Sequence, residues 1–377
     1  MVDLTYLDYN ATTPVLPAVI DSVTEVMGIT GANPSSMHSC GRDARKRLEH
    51  ARSAVAALVN AKSSEVIFTG GGSEADNLAI LGSGLNHVVV SETEHAAVLK
   101  TALLRTSNSQ LLRVDTQGVV DLDELERYLG EIHEPALVCV MAANNETGVL
   151  QPVSEVVELA HAHGALVLCD AVQAAGKIEV DFASWGVDYL ALSAHKTGGP
   201  QGVGALICKE GIKAHSLVTG GGQERGLRAG TENVAAIIGF GVSAEIVLST
   251  WHETAVRVEG YRNDLERRVQ DISPTSQIYS FKVPRLPNTS NFSCPGVRSD
   301  TQMINLDLAG VAVSAGSACS AGKVDSSHVL DAMNVETDEA KTALRVSFGW
   351  NSKPEDVDAF IKAWGKTVRE ERNKTDN

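Results

Sequence analysis

The stretch ALVLCDAVQAAGKIEVDFASWGVDYLALSAHK, residues 165–196, contains two short apolar runs, each followed by polar residues. The runs lie at 165–169 and 188–192, and similar runs occur at 87–90, 137–141 and 204–208. Runs that are apolar at nearly every position are typical of parallel strands covered on both faces. We therefore predict five buried strands.

Helical patterns separate these runs. Between residues 42 and 60, apolar side chains recur at steps of three and four and form one stripe. Asp121 and Glu124 match a capping box, whereas Pro152 and Gly164 suit the start and end of another helix. The alternation of strands and helices predicts an α/β fold with a mostly parallel sheet.

The length of 377 residues predicts two or three domains, at about 150 residues each. After residue 250 the pattern changes to a long charged helix, at about 253–271, and a proline-rich stretch at 284–295. We predict a large α/β domain at 13–250. Residues 1–12 with 251–377 are predicted to form a smaller α+β domain.

Composition argues against several classes of protein. The chain has 32 Lys and Arg against 47 Asp and Glu, a net charge of −15, and no basic run. Binding to nucleic acid or to an anionic membrane is therefore not expected. By inspection of the sequence, no apolar stretch approaches the ~18 residues that a membrane span needs. The first residues do not resemble a signal peptide. We expect a cytoplasmic protein.

Polar residues follow the predicted strands at the sheet edge where α/β proteins bind ligands. Asp170 is either a helix cap or ion-pair residue, or an anion facing a cationic ligand atom. Lys196, between Ser193, His195 and a glycine pair, is either solvated or able to bond a carbonyl compound. The glycine-rich FTGGGSEADN, 68–77, can present backbone N–H groups to a phosphate. A phosphate cradle, an aspartate and a lysine together match pyridoxal phosphate.

Ten ordered motifs then identify the chain as similar to the cysteine desulfurases, pyridoxal-phosphate enzymes of the aminotransferase class V group with fold type I. The motifs are YLDYNATTP (6–14), NPSSMHSCGR (33–42), FTGGGSEADN (68–77), SETEHAAV (91–98), NNETG (144–148), DAVQ (170–173), SAHKTGGPQGVG (193–204), GGGQERGLRAGTEN (220–233), SAGSACSAG (314–322) and LRVSFG (344–349).

The resemblance assigns cofactor roles residue by residue. It implies that Lys196 bonds the cofactor aldehyde, Asp170 pairs with the ring nitrogen, and Gln173 faces the ring hydroxyl. His95 is expected to stack on the ring and to move protons. The implied phosphate-binding residues are Gly72, Ser73, Ser193 and His195, with Thr231 reaching the phosphate of the neighbouring subunit in a homodimer.

For the substrate, the resemblance implies that Asn145 and Arg345 bind the carboxylate side of L-cysteine, with Asn145 also near the cofactor. A planar guanidinium suits a carboxylate. By residue type alone, His95 would be a surface or capping histidine and Arg345, in an alternating strand pattern, a solvated one.

Cys319 is the residue expected to take the sulfur as a persulfide and leave L-alanine. It lies among nine small residues, 314–322, which predict a mobile loop because they bury little apolar surface. Four of the other five cysteines lie in or beside apolar stretches and are predicted to be buried. Arg225 is expected to line the exit for the sulfur.

The implied acceptors are proteins of iron–sulfur cluster assembly or of the thiolation of tRNA and other cofactors. An association with iron and metal binding follows from the same resemblance, although no residue is assigned as a metal ligand. The printed sequence ends without the longer C-terminal segment by which iron–sulfur-assembly desulfurases engage their scaffold. An acceptor that docks elsewhere, a tRNA-modifying enzyme or a DNA-sulfur modification protein is therefore expected.

Two other functions are compatible with the same fold. One is an aminotransferase or a selenocysteine lyase, and the other is a non-catalytic adaptor. Transamination needs no thiol in a mobile loop, so Cys319 argues against it, and the intact set of Lys196, Asp170 and His95 argues against an adaptor.

Overall fold

The computed structural model describes residues 4–29, 31, 33–106, 108–315 and 327–375. Its strands are β1 (Thr5–Tyr6), β2 (Val66–Thr69), β3 (His87–Ser91), β4 (Asn108–Leu112), β5 (Ala136–Cys139), β6 (Leu166–Asp170), β7 (Tyr189–Ser193), β8 (Gly204–Cys208), β9 (Thr289–Ser293), β10 (Val311–Ala312) and β11 (Ala343–Ser347). Its α-helices are α1 (Pro17–Met27), α2 (Ser39–Leu58), α3 (Gly72–Gly82), α4 (Ala96–Arg105), α5 (Leu122–Glu131), α6 (Val153–Ala162), α7 (Phe182–Trp185), α8 (Val234–Ile272), α9 (Ser299–Leu308), α10 (His328–Ala332), α11 (Thr337–Ala340) and α12 (Pro354–Thr375).

A central sheet has the strand order β2-β8-β7-β6-β5-β3-β4. All five predicted strands are present, but β8 runs antiparallel to both β7 and β2, so its prediction as a parallel strand is wrong. The reason is the short connection between β7 and β8, since parallel neighbours need a longer crossover. The sequence analysis also missed the two edge strands, β2 and β4. The residues of β4 are largely polar or exposed.

Both faces of the sheet are buried, as the apolar runs predict. In β6, Val167 and Cys169 pack into one hydrophobic cluster, whereas Leu168 packs into the cluster on the other face. The capping residue Asp121 accepts a hydrogen bond from the Glu124 N–H at 2.9 Å and begins α5. Cys139, Cys169, Cys208 and Cys294 are buried, as predicted.

A further hydrophobic cluster joins the N-terminal strand to the C-terminal part of the chain. It contains Leu7 with Phe292, Phe360 and Trp364, whose rings contact one another at centroid distances of 5.6–6.3 Å. Tyr279 and other residues of the same C-terminal part pack instead on the core of the sheet. The domain boundaries at 12/13 and 250/251 stay a prediction, and the second of them falls inside α8.

The helix α8 is longer and more apolar than the sequence analysis expected. Among the described residues it is the one helix that could cross a membrane by length and composition, with an 18-residue window of mean hydropathy 1.7. Glycine, serine and threonine residues interrupt this apolar window, so the sequence analysis did not identify it. Half of it is buried within the protein, and α8 packs on α1 and α2, which accounts for its apolar character.

Two glycines of α8 test this packing. A Cβ added at Gly241 would lie 2.6 Å from the Cα of Ala51 on α2, whereas a Cβ at Gly260 would meet no atom within 4 Å. Alanine gains about 1 kcal/mol over glycine inside a helix, but overpacking costs about 1–3 kcal/mol. We expect Gly260→Ala to raise the melting temperature and Gly241→Ala to lower it, as measured by circular dichroism. Equal increases for both variants would contradict the close approach of α2 and α8.

Candidate active site

A cleft of about 330 Å³ opens at the carboxyl ends of β6 and β7. Asp170 ends β6, and Ser193 ends β7 just before Lys196. Ten of the twelve predicted site residues line this cleft: Gly72, Ser73, His95, Asn145, Asp170, Gln173, Ser193, His195, Lys196 and Arg345. The structure therefore brings together residues that are up to 273 positions apart in the chain.

The N-terminus of α3 forms one wall of the cleft. Gly71 precedes the helix with φ of +153°, and a Cβ added at Gly72 would lie 2.8 Å from a methyl group of Val172. A Cβ at Gly204 would come within 2.6 Å of the Gly71 backbone. Only glycine fits this close approach of β8 to the turn. The first N–H groups of a helix have no partner within the helix, so this wall suits an anion such as a phosphate.

Asp170 lies on the floor of the cleft and is buried. One of its carboxylate oxygens accepts a hydrogen bond from the Val172 N–H at 2.9 Å. Burial raises the pKa of Asp170, while the nearby His95 and Lys196 act in the opposite direction. A buried carboxylate at a cleft floor favours a cationic ligand atom, which agrees with the second of the two readings of this residue.

Two further buried carboxyl groups, Asp76 and Glu94, lie near Asp170, and the sequence analysis did not single them out. Each is about 1% exposed, and Asp76 also lines the cleft. Asp76 Oδ1 and Glu94 Oε2 have no hydrogen-bond partner in the described part of the chain. Burial first, and then the charge of Asp170, raises the pKa of both. Asp76 and Glu94 therefore hold their protons to a higher pH than an ordinary carboxyl group does.

His95 both caps a helix and lines the cleft. Its Nδ1 accepts a hydrogen bond from the Ala97 N–H at 3.1 Å at the start of α4. The capping alternative for this residue is therefore correct, yet the same ring faces the predicted cofactor site. Since Nδ1 is an acceptor, the proton of the neutral ring lies on Nε2. Nε2 is then the atom able to exchange protons with a ligand.

His195 has a different environment from His95. Its Nδ1 lies 3.2 Å from the hydroxyl of Thr12. Burial, with Lys196 and Lys177 nearby, lowers the pKa of His195 to about 4. The ring is therefore neutral near pH 7 and can contribute a hydrogen bond to a phosphate.

Lys196 is held by the N-terminal segment of the chain. Its Nζ donates hydrogen bonds to the backbone carbonyls of Asn10 and, at 2.8 Å, of Ala11. Its own carbonyl accepts from the Thr13 hydroxyl at 2.9 Å. Lys196 is thus enclosed rather than solvated, and its amino group points to the cleft that Asn10 and Ala11 also line.

Arg345 is buried, contrary to the solvated position that its alternating strand would suggest, with only 3% of its side chain exposed. It donates to Asp8 Oδ1 at 2.7 Å and to the backbone carbonyl of Asn145 at 3.0 Å. Its Nε is buried without a partner among the described residues. A guanidinium with unused hydrogen-bonding capacity in a cleft suits a carboxylate ligand.

The remaining predicted residues lie elsewhere. Thr231 is exposed and does not line this cleft, and Cys319 lies outside the described residues. The expectation that Arg225 lines an exit for the sulfur stays a prediction. Its guanidinium binds the backbone carbonyls of Ser63, Ser64 and Val66.

Asn10 is the most connected site residue that the sequence analysis missed. It lines the cleft and contacts Lys196, Gln173 and Asn145. The signal was available, since Asn10 and Asp76 lie inside two of the ten motifs, YLDYNATTP and FTGGGSEADN. No group of three or more His, Cys, Asp and Glu side chains in the described part could hold a metal ion.

The cleft fits pyridoxal phosphate by the chemistry of its walls. The glycine turn and Ser73 suit the phosphate, the buried carboxylate of Asp170 suits a protonated ring nitrogen, and Lys196 suits the aldehyde.

The buried acids predict how the cofactor-free protein responds to pH. Because the pKa of Asp76 is raised, the folded state keeps a proton that the unfolded chain releases above about pH 4. Stability therefore falls as pH rises. Asp76→Asn should make this fall shallower, by about 1.4 kcal/mol for each unit of the Asp76 pKa shift, while Glu94 keeps its own part of the fall. Urea unfolding of the cofactor-free protein from pH 5 to 8 measures it.

The matched control is Asp21→Asn, at an exposed position of α1. This variant should keep the pH slope of the parent protein. A slope for Asp76→Asn equal to that of the control would show that Asp76 ionises normally.

Comparison with known proteins gives the family. Residues 5–360 match the aminotransferase class-V family. The chain is 36% identical to the "Cysteine desulfurase IscS" of Clostridium botulinum, over 97% of this chain and 95% of that protein. A NifS-like protein of Rickettsia africae has 33% identity and a TM-score of 0.91, covering 97% of this chain and 99% of that one. The protein SspA, solved in complex with cysteine, has 30% identity and a TM-score of 0.79, covering 91% and 98%. The chain belongs to the aminotransferase class-V family and, within it, to the pyridoxal-phosphate-dependent cysteine desulfurases.

Proposed function

We propose that this enzyme converts L-cysteine to L-alanine, takes the sulfur on Cys319 as a persulfide, and passes it to an acceptor protein. The observation that carries the proposal is the meeting of Lys196, Asp170, His95 and Arg345 in one cleft. The complex of the similar protein SspA with cysteine supports the choice of substrate.

Cofactor binding follows from the walls of the cleft. Gly72, Ser73, Ser193 and His195 would hold the phosphate, Asp170 the ring nitrogen and Gln173 the ring hydroxyl. When bound, pyridoxal phosphate withdraws electrons from the substrate's α-carbon. The hydrogen bond from the Val172 N–H and the nearby Lys196 favour the charged form of Asp170 against the effect of its burial, and a charged Asp170 would support this withdrawal.

Substrate orientation is the role of Arg345 and Asn145. The guanidinium of Arg345 lies 3.0 Å from the Asn145 carbonyl and 2.7 Å from Asp8, and these contacts fix its plane. A carboxylate bound to this plane keeps the rest of the substrate in a constant position relative to Lys196. Such positioning is a large part of what an active site contributes to rate.

Proton transfer is the role of Lys196 and His95. The carbonyls of Asn10 and Ala11 keep the amino group of Lys196 beside the cleft, where it can remove the α-proton of the substrate. His95, fixed through Nδ1, can exchange a proton through Nε2. The thiol of Cys319 must lose its proton before it attacks sulfur.

Contacts on both sides of 316–326 support the role of Cys319. The backbone N–H and carbonyl of Ser314 pair with those of Arg345 at 3.2 and 2.7 Å. On the other side, Ser327 donates to the buried Glu146, and His328 Nε2 lies 3.0 Å from the carbonyl of Glu94. The chain therefore enters and leaves this stretch beside the cleft.

A homodimer is the proposed assembly, with Thr231 completing the phosphate site of the partner subunit. Thr231 is exposed, in a loop that the buried Glu224 holds through two hydrogen bonds to Arg52 at 2.6 and 2.8 Å. Glu224 and Arg225 adopt φ of +44° and +58° there, so the ion pair maintains an unfavourable backbone conformation. A rigid exposed loop is suited to reaching another subunit.

The acceptor is proposed to be a protein of iron–sulfur cluster assembly or of tRNA or cofactor thiolation, in the cytoplasm. The net charge of −15 favours a basic protein surface as the docking partner over a nucleic acid itself.

Two variants test the chemistry. Lys196→Ala should lose the visible absorption of the lysine-bound cofactor and fall at least ~10³-fold in alanine release, because it loses both the attachment and the base. Cys319→Ala should keep the absorption and lose turnover to a similar degree. Alanine released from L-cysteine with a thiol reductant present is the measurement, and Cys40→Ala, at an exposed cysteine, is the control. Alanine release by Cys319→Ala at the parent rate would overturn the persulfide step.

Arg345→Lys tests substrate orientation separately. Lysine keeps the charge but not the planar fork, so we expect KM for L-cysteine to rise about tenfold, for the loss of about 1.4 kcal/mol in one charge-assisted hydrogen bond. Steady-state kinetics and the visible spectrum of the loaded enzyme measure this. An unchanged KM would place the substrate carboxylate elsewhere.

A further inference from the structure

Lys177 is a partly buried lysine that none of the proposed steps uses. It follows Gly176, at φ of +76°, in the connection after β6, seven residues beyond Asp170. Its Nζ donates to Gln173 Oε1 at 2.6 Å and to Asn10 Oδ1 at 3.1 Å. In the described part of the chain it forms no salt bridge with a carboxylate. A partly buried lysine whose hydrogen-bond partners are amide oxygens instead of carboxylates needs an explanation, because taking a charge out of water is costly.

The contacts of Gln173 supply one. Its Nε2 donates to the backbone carbonyl of Asn10 at 2.9 Å, and its Oε1 accepts from Lys177. The oxygen and nitrogen ends of an amide have almost the same shape, so hydrogen bonds alone decide which way it faces. An ammonium group can donate hydrogen bonds but cannot accept them. Only the oxygen end of Gln173 can therefore bond to it.

The same lysine orients Asn10. Asn10 Oδ1 accepts from Lys177 and from Asn288 at 3.1 Å, which leaves its nitrogen to donate to Thr289 at 2.9 Å. The backbone carbonyl of Asn10 contacts Lys196 as well as Gln173. Lys177 thus fixes the direction of two amides that line the cleft, although it does not line the cleft itself.

We propose that Lys177 is a positioning residue that holds the amide of Gln173 with its NH₂ group, and not its oxygen, toward the ring hydroxyl of the cofactor. This inference rests on the proposed cofactor site. One N–H of Gln173 is used on Asn10, and the second is the donor for the ring oxygen. With the amide reversed, Oε1 of Gln173 would face the ring oxygen of the cofactor, and cofactor binding would weaken.

The environment of Lys177 is consistent with a neutral or a charged amine. Burial, followed by the charges of Lys196 and Arg345, lowers the pKa of Lys177 well below its ordinary value. Either form donates hydrogen bonds to Gln173 and Asn10, and because the Asn10 carbonyl holds Nε2 of Gln173, both forms meet the oxygen end of the amide.

A double-mutant cycle with Lys177→Met and Gln173→Leu tests the proposal. The readouts are the dissociation constant of pyridoxal phosphate and the visible absorption spectrum from pH 6 to 9. We expect Lys177→Met to weaken cofactor binding about tenfold, because one hydrogen bond is lost and the amide of Gln173 is then held by the Asn10 carbonyl alone, and to shift the spectrum. In the Gln173→Leu background the same change should have an effect below about twofold, because the amide of Gln173 is absent and that of Asn10 is still held by Asn288 and Thr289.

Lys177→Arg is the conservative variant. It keeps donors for both oxygens and has space in the adjacent apolar cavity, which Val247 and Trp251 also line. It should restore the parent spectrum, and cofactor affinity to within about threefold. This variant also guards against a folding failure of Lys177→Met.

Three results would overturn the inference. Equal effects of Lys177→Met in both backgrounds would mean that Lys177 acts by charge and not through Gln173. A lower melting temperature with unchanged cofactor affinity and spectrum would mean a structural role only. If Gln173→Leu itself changed neither readout, Gln173 would not face the cofactor, while loss of colour in Lys196→Ala would still support the proposed function.

Discussion

The hydrogen bonding of Asn10 is the constraint on which the active site depends. The backbone carbonyl of this residue accepts from Lys196 and Gln173, and its backbone N–H donates to Ser347 at 3.0 Å. Its side chain bonds Lys177 and Thr289. A single residue near the N-terminus therefore joins the ends of β6 and β7 to the strands β9 and β11. Every donor and acceptor of Asn10 has a partner, which makes the joint specific as well as strong.

Charge is distributed unevenly around this joint. Asp76 and Asp170 line the cleft with Glu94 buried near them, Lys196 and Arg345 line it as cations, and Lys177 lies behind it beside Gln173. Lys196 opposes the rise that burial causes in the pKa of Asp170, whereas burial and the charge of Asp170 raise the pKa of Asp76 and Glu94 well above the ordinary range. Burial first, and then the charges of Lys196 and Lys177, lowers the pKa of His195. The cleft thus offers a carboxylate for a cation and hydrogen-bond donors for anions within one small volume.

The sequence predicted the sheet and most of the cleft because strand-end residues are recognisable. Asp170 and Lys196 directly follow apolar runs, and parallel strands bring such ends to one edge. The direction of β8 and the extent of α8 could not be predicted in the same way. The first depends on a short loop between adjacent strands, and the second on helix packing that permits glycine and serine within an apolar helix.

Residue function was harder to predict where one side chain serves two purposes. His95 matches a capping histidine by its sequence position and is one, yet it also faces the cleft. Arg345 has the pattern of a solvated strand residue but is buried against Asp8. Asp76 and Lys177 have ordinary surroundings in the sequence, and only the packing of distant segments makes their environments unusual. The sequence alone determined the α/β class, the strand-end chemistry and the family. The tertiary structure decided which carboxyl groups have a raised pKa and which way each amide faces, because both depend on charges and donors supplied by residues far apart in the chain.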